Sequence, residues 1–533
     1  MSSCLTKSSH TDCFRKKKET MKMNNDLTLA QGKGTQALVI GGGIAGLLTA
    51  RVLSDYYEQI LVVDRDVFPE QPQLRAGTPQ AFHSHRVLPR GNMILERLFP
   101  DYIDALLAEG AYPTQNKEGH ITTPHGSLVM RQPGKGVSCS RALLEWNLRR
   151  RVQALPNVRF LPSQEVIGLE ISPDRDRITG VSLRERGHLE RQTTITADLV
   201  IDASGRSSKL PSWLQELGYT LPETGEVRGD LGYSTRHYQA PPHSARNWGV
   251  IMAEGSPSTG TLTAALSPKE NNILHLLVWG VGGHYPPTDA DHFEEGLKHL
   301  SSPDIVNALQ EAEPLGPPRG YRIPACIRQH YEQMEDWPTG LLVVGDALCH
   351  FDPVYGQGMT VAAIEAETLA TCLREQQSHP QPHFERRTLQ RMQEATHPAW
   401  WLSAIADLRW SGVTYVGQEP PQGVELVHRY LDLYLDYATE HPLELASNGK
   451  RDLSSPQPAY AKYFLMNVLV VPPPVVFNAT TFALLLEAEA SSEEPHRSHE
   501  LTQDSHLPLA EILAEVLPSF SLAFEAPAAL AAA

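Results

Sequence analysis

Long apolar runs are missing from this sequence of 533 residues. A membrane-spanning helix needs about 18 or more predominantly apolar residues in succession, and no such run exists. The nearest candidate, Tyr463 to Leu486, contains three consecutive prolines from Pro472 to Pro474, which cannot continue a spanning helix. We therefore predict that the chain has no transmembrane segment.

Paired cysteines and a basic charge balance are also missing. The six cysteines include no Cys-x-x-Cys pair, so the sequence indicates neither a disulfide framework nor a zinc site and fits a reducing, cytoplasmic setting. The formal net charge of −16 disfavours nucleic acid as a partner, because phosphates attract a basic surface. Hydrophobic residues (41%) and charged residues (20%) are at the levels of an ordinary globular chain.

A complete βαβ unit is predicted near the N-terminus. The β-rich run Ala37–Ile40 precedes a glycine turn at residues 41–46, and an apolar pattern of helical period follows the turn. A second β run, Ile60–Val63, then ends in Asp64, eighteen residues after the last glycine of the turn. Strand, glycine turn, helix, strand and terminal acid in this order are typical of dinucleotide binding.

Each glycine of this turn has a separate physical role. Gly41 permits the tight turn, Gly43 lets the backbone approach a pyrophosphate, and Gly46 lets the helix pack closely on the strand. The helix N-terminus directs unpaired N–H groups at the phosphates, and Asp64 can accept hydrogen bonds from a ribose. The predicted cofactor-binding residues of this unit are Gly41, Gly43, Ile44, Ala45, Gly46, Asp64 and Arg65.

Three separated segments together resemble the FAD-dependent class A flavoprotein monooxygenases, the superfamily of the aromatic hydroxylases. They are the glycine turn, the sequence DLVIDASGRSS at residues 198–208 and the sequence GDALCHFDPVYGQGM at residues 345–359. The resemblance covers about residues 36 to 375. It implies an α/β fold, α+β overall, in which a Rossmann-like FAD-binding domain with a mixed sheet is joined to a second, antiparallel-sheet substrate domain.

The third segment has the features that a flavin ring requires. Asp346 ends a strand, where its carboxylate can hold ribityl hydroxyls, and Pro353 stiffens the loop that follows. Gly356 and Gly358 let the main chain pass close to a flat ring, and a helix starting near Met359 directs its N-terminus there. By resemblance, the FAD contacts of this segment are Asp346, Pro353, Gly356, Gln357, Gly358 and Met359, with Pro353 and Gly356 near the ring.

The second segment departs from the hydroxylase pattern. The family usually has Gly-Ala-Asp-Gly where this chain has Asp-Ala-Ser-Gly, so Ser204 replaces an acid that is tied to FAD and NADPH handling. In the third segment, Cys349 replaces a frequent His. These differences make the chain more similar to the epoxidase, halogenase and reductase-like branches. Arg141 lies where the family has a helix Arg that reaches the ribityl chain or the phosphates, and a plain surface Arg is the alternative.

Several other residues are candidates to line a pocket. His83 and His85 are two residues apart, but no third ligand is evident, so we predict no metal site and expect the pair to line a flavin or substrate pocket. Because the flavin carries the chemistry, the substrate pocket should be apolar. Tyr233, Trp248 and Trp279 could supply its wall, and an ordinary core position is the alternative for each.

The resemblance implies an FAD-dependent monooxygenase that hydroxylates or epoxidises a hydrophobic, secondary-metabolite-type alkene or aromatic substrate through a flavin C4a-hydroperoxide. No catalytic side chain is obligatory in such an enzyme. Electrons would come from NAD(P)H, directly or through a separate flavin reductase, and O₂ would be the second substrate. Three alternatives stay open: a flavin-dependent halogenase, whose Trp-x-Trp-x-Ile-Pro signature is absent here; an FAD-dependent prenyl-chain reductase; and a non-catalytic flavin-binding protein.

The sequence also predicts how the chain is divided. The regions are a disordered N-terminal extension (1–35), a discontinuous FAD-binding domain (36–66, 135–210 and 321–375), a loop-rich insertion near the flavin (67–134), a substrate-binding antiparallel sheet (211–320), a helical C-terminal region (376–487) and a loose tail (488–533). The extension has a basic cluster at residues 15–18 but no apolar centre of the kind a secretory signal needs. Met21 or Met23 could be its true start.

Overall fold

The computed structural model describes residues 33–131, 134–188, 190–242, 246–440, 459–490, 509–518 and 520. The extension predicted for residues 1–35 lies outside these residues up to position 32, and the first strand begins at Gly34. Most of the tail predicted for residues 488–533 also lies outside them.

The chain alternates between strands and helices in its first three quarters. The strands are β1 (Gly34–Ile40), β2 (Tyr57–Val63), β3 (Tyr112–Pro113), β4 (Glu118–Thr123), β5 (Gly126–Arg131), β6 (Val137–Ser138), β7 (Val158–Leu161), β8 (Gln164–Ile171), β9 (Ile178–Glu185), β10 (Gln192–Thr196), β11 (Leu199–Asp202), β12 (Gly225–Gln239), β13 (Trp248–Ala253), β14 (Thr263–Pro268), β15 (Ile273–Gly280), β16 (Glu313–Pro314), β17 (Arg319–Arg328), β18 (Leu341–Val343), β19 (Cys349–His350) and β20 (Thr414–Gly417).

The helices dominate the last quarter of the chain. They are α1 (Ile44–Leu53), α2 (Pro89–Leu98), α3 (Tyr102–Ala108), α4 (Arg141–Gln153), α5 (Leu210–Glu216), α6 (Ala290–Leu297), α7 (Asp304–Leu309), α8 (Gly358–Ser378), α9 (Phe384–Asp407), α10 (Val424–Glu440), α11 (Ala459–Asn467), α12 (Ala479–Ala490) and α13 (Leu509–Val516). None of the helices within the described ranges combines the length and apolarity that crossing a membrane requires.

A parallel sheet of five strands, in the order β18-β11-β1-β2-β7, forms the Rossmann-like part. In the centre of this sheet, Val39 lies opposite Val62 on one side and Ile201 on the other, and all three are fully buried. Burial on both faces explains why these strands are continuous apolar runs in the sequence. The four pairings of this sheet are all parallel. The antiparallel strands β8, β9 and β10 form a small sheet of their own.

The second sheet has ten strands and is mainly antiparallel. Eight of them follow the order β19-β17-β12-β15-β14-β13-β4-β5, and β16 and β20 also pair with β12. The pairing of β13 with β4 is parallel and brings the hairpin β4–β5 into the sheet. Residues 67–134, predicted as a loop-rich insertion, therefore contain two strands of the large sheet in addition to helices α2 and α3.

The large sheet is buried on both faces near its centre, and β15 shows how. Its residues Leu274, Leu276 and Val278 pack with α6 and α7 on one face. Its residues Leu277 and Trp279 belong to a separate apolar cluster on the other face. Successive side chains of a strand point to opposite faces of its sheet. Alternate residues of the apolar run ILHLLVWG therefore pack in the structural core on one face and line the cavity on the other.

Candidate active site

A cavity of 2070 Å³ extends from the carboxyl ends of β1 and β2 to the inner face of the large sheet. Its volume exceeds the roughly 300–1,000 Å³ of an ordinary ligand pocket. Twelve of the fourteen predicted cofactor-binding residues line it: Gly41, Gly43, Ile44, Ala45, Asp64, Arg65, Arg141, Asp346, Pro353, Gly356, Gly358 and Met359. The other two, Gly46 and Gln357, are not among the lining residues.

The glycine turn leaves open space where a pyrophosphate is expected. Gly41 has a φ of +103°, and a Cβ there would lie 2.5 Å from the carbonyl oxygen of Ala203. At Gly43 the nearest atom to such a Cβ is Arg75 Nη2, at 3.9 Å, so the space in front of α1 is free of protein. Gly46 has the opposite surroundings, because a Cβ there would lie 1.8 Å from the carbonyl oxygen of Gly41. Gly46 therefore supports the turn from behind rather than facing the cavity.

Asp64 is held in place by three partners. Its Oδ2 accepts a hydrogen bond of 2.8 Å from Gly42 N, and its Oδ1 accepts one of 2.8 Å from Asp66 N. The guanidinium of Arg75 lies 3.3 Å from Asp64 Oδ2 and 2.9 Å from Asp66 Oδ2. The contacts of Arg75 Nη1 with Asp64 are long, at 3.3 Å to Oδ2 and 3.4 Å to Oδ1, so a ribose hydroxyl can replace them as a hydrogen-bond donor. Arg75 was not among the predicted residues.

Glu145 joins Arg75 to Arg141 beneath the cavity. Its two oxygens lie 2.6 Å from Arg75 Nε and 2.6 Å from Arg141 Nη1. Burial works against charge on Glu145, but Arg141 and Arg75 outweigh it and hold the pKa of Glu145 below its usual value. Ser140 caps the helix by accepting a hydrogen bond of 3.1 Å from Leu143 N, so α4 begins at Arg141. Arg141 is thus buried and paired, not a free surface cation.

The third segment forms a turn, a short strand and a loop before α8. Asp346 follows β18, opens to the cavity and makes no hydrogen bond or ion pair to any residue that the structure describes. Burial raises the pKa of Asp346, although His350 nearby opposes the shift. Behind this turn, Gly345 N donates a hydrogen bond of 2.6 Å to Glu365 Oε2 on α8. Burial raises the pKa of Glu365 to about 8, so this acid is largely protonated at neutral pH.

A pair of buried acids supports the loop at Pro353. Asp352 Oδ1 accepts a hydrogen bond of 2.8 Å from Val354 N, and Tyr355 Oη donates one of 2.8 Å to Asp407 Oδ1 on α9. Asp352 and Asp407 are only 1% and 3% exposed. Burial raises the pKa of Asp352 to about 6, and burial together with Asp352 raises the pKa of Asp407 well above its usual value. The pKa values of both acids are therefore raised directly behind the predicted flavin loop.

The two departures from the family pattern have different positions. Ser204 lines the cavity, and its buried Oγ has no hydrogen-bond partner among the described residues. The acid that remains in that segment, Asp202, accepts hydrogen bonds from Ser204 N and Ser208 Oγ and holds its own turn. Cys349 is buried on β19 and does not line the cavity, whereas His350 does. The replacement of the family's His by Cys349 therefore lies behind the site.

The histidines of residues 83–85 both line the cavity. His83 Nδ1 lies 2.9 Å from Thr235 Oγ1, and His85 Nδ1 lies 2.9 Å from the carbonyl oxygen of His83. Burial lowers the pKa of His83 to about 4 and that of His85 to about 3, so both are neutral at pH 7. Within the part of the chain that the structure describes, no group of three or more His, Cys, Asp or Glu side chains could hold a metal ion.

The far end of the cavity is apolar and aromatic. Tyr233 and Tyr321 stack with ring centroids 5.5 Å apart, and Trp279 lies in the same wall. Trp248, which was also a candidate for this wall, packs against the core on the other side of the sheet. Helix α11 contributes Phe464 and Leu465 to the lining, so the C-terminal region also forms part of the cavity wall. Nothing in the sequence of α11 linked it to the pocket.

The residues present fit FAD. The space at Gly43 can admit a pyrophosphate, Asp64 can receive a ribose, and the unsatisfied carboxylate of Asp346 can receive ribityl hydroxyls. Gly358 starts the 21-residue helix α8, whose N-terminus favours negative charge at the cavity. A Cβ added at Gly358 would have open space around it, because the nearest atom would be Asp346 Oδ1 at 3.8 Å.

Comparisons with known proteins agree with this geometry. Residues 34–381 match the family model described as the FAD binding domain. Protein Rv3254 of Mycobacterium tuberculosis is 32% identical over 390 residues, which cover 71% of this chain and 81% of that protein. Squalene monooxygenase of Rattus norvegicus is 23% identical over 337 residues, which cover 61% of this chain and 52% of that enzyme.

Two solved structures show the same fold. A flavoprotein/dehydrogenase from Cytophaga hutchinsonii matches with a TM-score of 0.58 at 14% identity, over 85% of this chain and all of that chain (100%). The flavin-dependent brominase Bmp2 matches with a TM-score of 0.55 at 14% identity, over 85% of this chain and 98% of that chain. At this level of identity the likeness is one of fold alone.

Proposed function

This chain belongs to the FAD binding domain family, within the superfamily of class A flavoprotein monooxygenases, and we propose that it inserts one oxygen atom of O₂ into an apolar alkene or aromatic substrate. The observation that carries this proposal is the continuity of the cavity. One space joins the residues that fit FAD to an apolar wall on the large sheet, so a substrate can lie beside the flavin ring.

Bound FAD, once reduced, would supply the activation of O₂ and the oxygen transfer. The protein residues would bind, orient and exclude water. Gly43 and the N-terminus of α1 would hold the pyrophosphate, and Asp346 would hold the ribityl chain. Tyr233, Trp279 and Phe464 would keep the reacting end dry.

The source of electrons is part of the proposal. NAD(P)H could reduce the flavin directly, or a separate flavin reductase could deliver the electrons. Ser204 stands where the hydroxylases have an acid tied to NADPH handling. The replacement of that acid favours a separate reductase.

The test starts with the cofactor. Purified protein should show the absorption of oxidised flavin, or acquire it when FAD is added. Asp346→Asn should weaken FAD binding about tenfold, whereas Asp336→Asn, an exposed acid outside the cavity, should leave it unchanged. A protein that binds no FAD under any condition would overturn the proposed function.

The reaction is tested next, with a panel of alkenes and aromatics. Wild-type protein is incubated with FAD, O₂ and either NADPH, NADH or a separate flavin reductase, and products are identified by mass. A product heavier by one oxygen atom supports the monooxygenase. A halogenated product that requires bromide would identify a halogenase, and a saturated product a reductase; either result would contradict the proposal.

A further inference from the structure

Five cations line the cavity without an ion-pair partner among the acids that the structure describes: Arg65, Arg86, Lys117, Arg206 and Lys269. Arg86 and Lys269 are considered together because Arg86 lies close enough to Lys269 to lower the pKa of its ammonium group. Arg86 and Lys269 both line it, and neither lies within ion-pair distance of an acid in the described ranges. Arg86 Nη2 donates only a long hydrogen bond of 3.4 Å, to the carbonyl oxygen of Tyr355. Lys269 Nζ donates to the carbonyl oxygen of His85 at 3.2 Å and to Ser138 Oγ at 3.0 Å. These contacts all use neutral acceptors, so no acid forms an ion pair with either group, although the nearby charge of Glu270 partly offsets the burial of Lys269.

Arginines at the pyrophosphate end of the same cavity differ in this respect. Arg75 contacts three carboxylates, and Arg141 contacts Glu145 at 2.6 Å. The acid next to Lys269 in the sequence, Glu270, accepts a hydrogen bond of 2.9 Å from Ser140 N and does not line the cavity. The chain therefore supplies counter-ions near the expected phosphates and none near Arg86.

Burial makes this missing counter-ion significant. Lys269 is 3% exposed, and burial lowers the pKa of its ammonium group to about 8, with Arg86 adding to that shift. Arg86 differs from Lys269 because its side chain is exposed to the cavity. A buried charge without a partner is costly, so Lys269 would gain from an anion in the cavity, and the exposed guanidinium of Arg86 is accessible to the same anion.

The position of Arg86 identifies which ligand this anion belongs to. Its side chain lies against Gly356, where a Cβ would be 3.0 Å from Arg86 Cγ and Nε. Gly356 belongs to the loop proposed to meet the flavin ring, so Arg86 would lie beside the ring. The lining of the same cavity includes the apolar side chains of Trp279 and Phe464.

We propose that Arg86 and Lys269 form an anion-binding subsite beside the flavin ring, and that the substrate is an apolar molecule that carries a carboxylate. The guanidinium of Arg86 presents parallel N–H groups that match a carboxylate in a bidentate arrangement. The apolar body of the substrate would then lie along Trp279 and Phe464. This inference rests on the proposed function, because it assigns the substrate class of the same site.

The test compares acids with their methyl esters. Dodecanoate, farnesoate and 2-naphthoate, each paired with its ester, are titrated into FAD-loaded protein, and binding is followed by the change in flavin absorption and by tryptophan fluorescence. In the wild type at least one acid should bind about tenfold more tightly than its ester. Arg86→Met should abolish that preference, Arg86→Lys should retain part of it, and ester binding should not change.

Arg228→Met is the matched control, since Arg228 is exposed, pairs with Glu226 and lies outside the cavity lining. It should preserve the preference for the acid. Equal binding of acid and ester in the wild type, no binding of any of the three acids, or an unchanged preference in Arg86→Met would each overturn the proposal.

The FAD affinity and the flavin midpoint potential of Arg86→Met distinguish a role of Arg86 in flavin binding from a role in substrate binding. If Arg86→Met weakens FAD binding or shifts the flavin midpoint potential while the acid-to-ester ratio is unchanged, Arg86 serves the flavin, and the substrate subsite is refuted. If the protein never binds FAD, the proposed function fails. The fluorescence titration of the apoprotein still decides whether Arg86 selects carboxylates.

Discussion

Gly43 and Gly46 stand three residues apart in one turn, yet their surroundings predict opposite effects of adding a methyl group. Gly43 has an extended backbone and open space, so Gly43→Ala should leave the fold unchanged. Its methyl group would occupy the space where a pyrophosphate approaches, and we expect FAD affinity to fall about tenfold or more. Gly46→Ala would place Cβ against the backbone of Gly41 and should destabilise the protein by about 2–4 kcal/mol.

Titration with FAD and urea unfolding of both variants would check this pair. Gly43→Ala should lose FAD binding at unchanged unfolding midpoint, and Gly46→Ala should lose stability even without FAD. Similar losses in both properties for both variants would contradict the assignment of Gly43 to the cofactor.

The acid pair Asp352 and Asp407 predicts a pH dependence of stability. An acid whose pKa is raised by folding contributes stability that is fully present below its unfolded pKa, near 3.8, and lost as the pH rises through the folded value, about 6 for Asp352. Asp407→Asn removes one of the two buried charges and keeps an acceptor for Tyr355. The variant should therefore gain stability relative to the wild type between pH 4.5 and pH 7.5, by about 1–3 kcal/mol.

Urea unfolding at the two pH values measures this difference. Asp291→Asn, at an exposed position on α6, is the control and should show no such trend. A wild type and an Asp407→Asn variant whose stabilities change in parallel with pH would show that the pKa of Asp407 is not raised in the folded protein.

For individual residues, the sequence predicted which ones line the site when they act through their backbone or belong to a recognisable motif. Gly41, Gly43 and Asp346 follow strands in a known order, and all three line the cavity. Arg75 could not be predicted, because its role depends on three acids from separate segments. Glu365 and Asp407 were missed for a similar reason: each is one acid in a long helix, and only packing directs it to a loop 20 or more residues away.

At the scale of elements, the hairpin β4–β5 is joined to α10 by a charged contact. His125 Nδ1 lies 2.7 Å from Asp436 Oδ1, and His125 Nε2 lies 3.5 Å from Asp432 Oδ1. Burial acts against the charge of His125, but hydrogen bonds to Asp432 and Asp436 raise its pKa to about 9. This contact attaches the edge of the large sheet to the C-terminal helices.

His125→Gln is expected to weaken that attachment at neutral pH. A histidine with a raised pKa contributes stability that is present below its unfolded pKa, near 6.5, and lost as the pH rises through about 9. Because the two acids are about one-third exposed, we expect a loss of only about 1–2 kcal/mol at pH 6 and little loss at pH 10. The midpoint of urea unfolding at the two pH values checks this, and an equal loss at both would refute a charged His125.

The elements of the hydrophobic βαβ unit were predicted well because burial leaves a clear pattern. The hairpin β4–β5 was not predicted, since the strand EGHITT is largely polar, the strand GSLVMR is short, and the pairing partner β13 lies more than a hundred residues away. Its strands form because a large-sheet edge is available, an event that local propensity does not encode. The boundaries proposed for the insertion and the substrate sheet remain predictions.

For the whole molecule, the cavity predicts that the complete dinucleotide stabilises the fold more than a part of it. FAD would contact both the glycine turn and the loop at Gly356, whereas FMN lacks the adenosine half and reaches only the latter. Ligand at a hundred times its dissociation constant contributes about 2.7 kcal/mol, so FAD should raise the thermal midpoint by on the order of a few degrees. Equal shifts with FAD and FMN in a thermal unfolding experiment would contradict the proposed placement.

The fold class was predictable from three motifs, but the shape of the substrate space was not. The three motifs reflect what binding one cofactor requires of the backbone, and each motif marks the residue at which a strand ends. The wall formed by Trp279, Tyr321 and Phe464 comes from three regions of the chain that no motif connects. The apolar residues of α11 are indistinguishable in sequence from those of any packed helix, so the contribution of the C-terminal region required the structure.

The strand order has a consequence for how the protein is made. In the parallel sheet, β1 forms its hydrogen bonds with β11, and β11 forms its own with β18, which ends at Val343. In the large sheet, β12 also pairs with β20, which begins at Thr414. A ribosome adds about 5–20 residues per second, so the nascent chain carries unpaired apolar strands for on the order of tens of seconds. We expect such a chain to depend on chaperones during translation and to gain soluble yield when translation is faster.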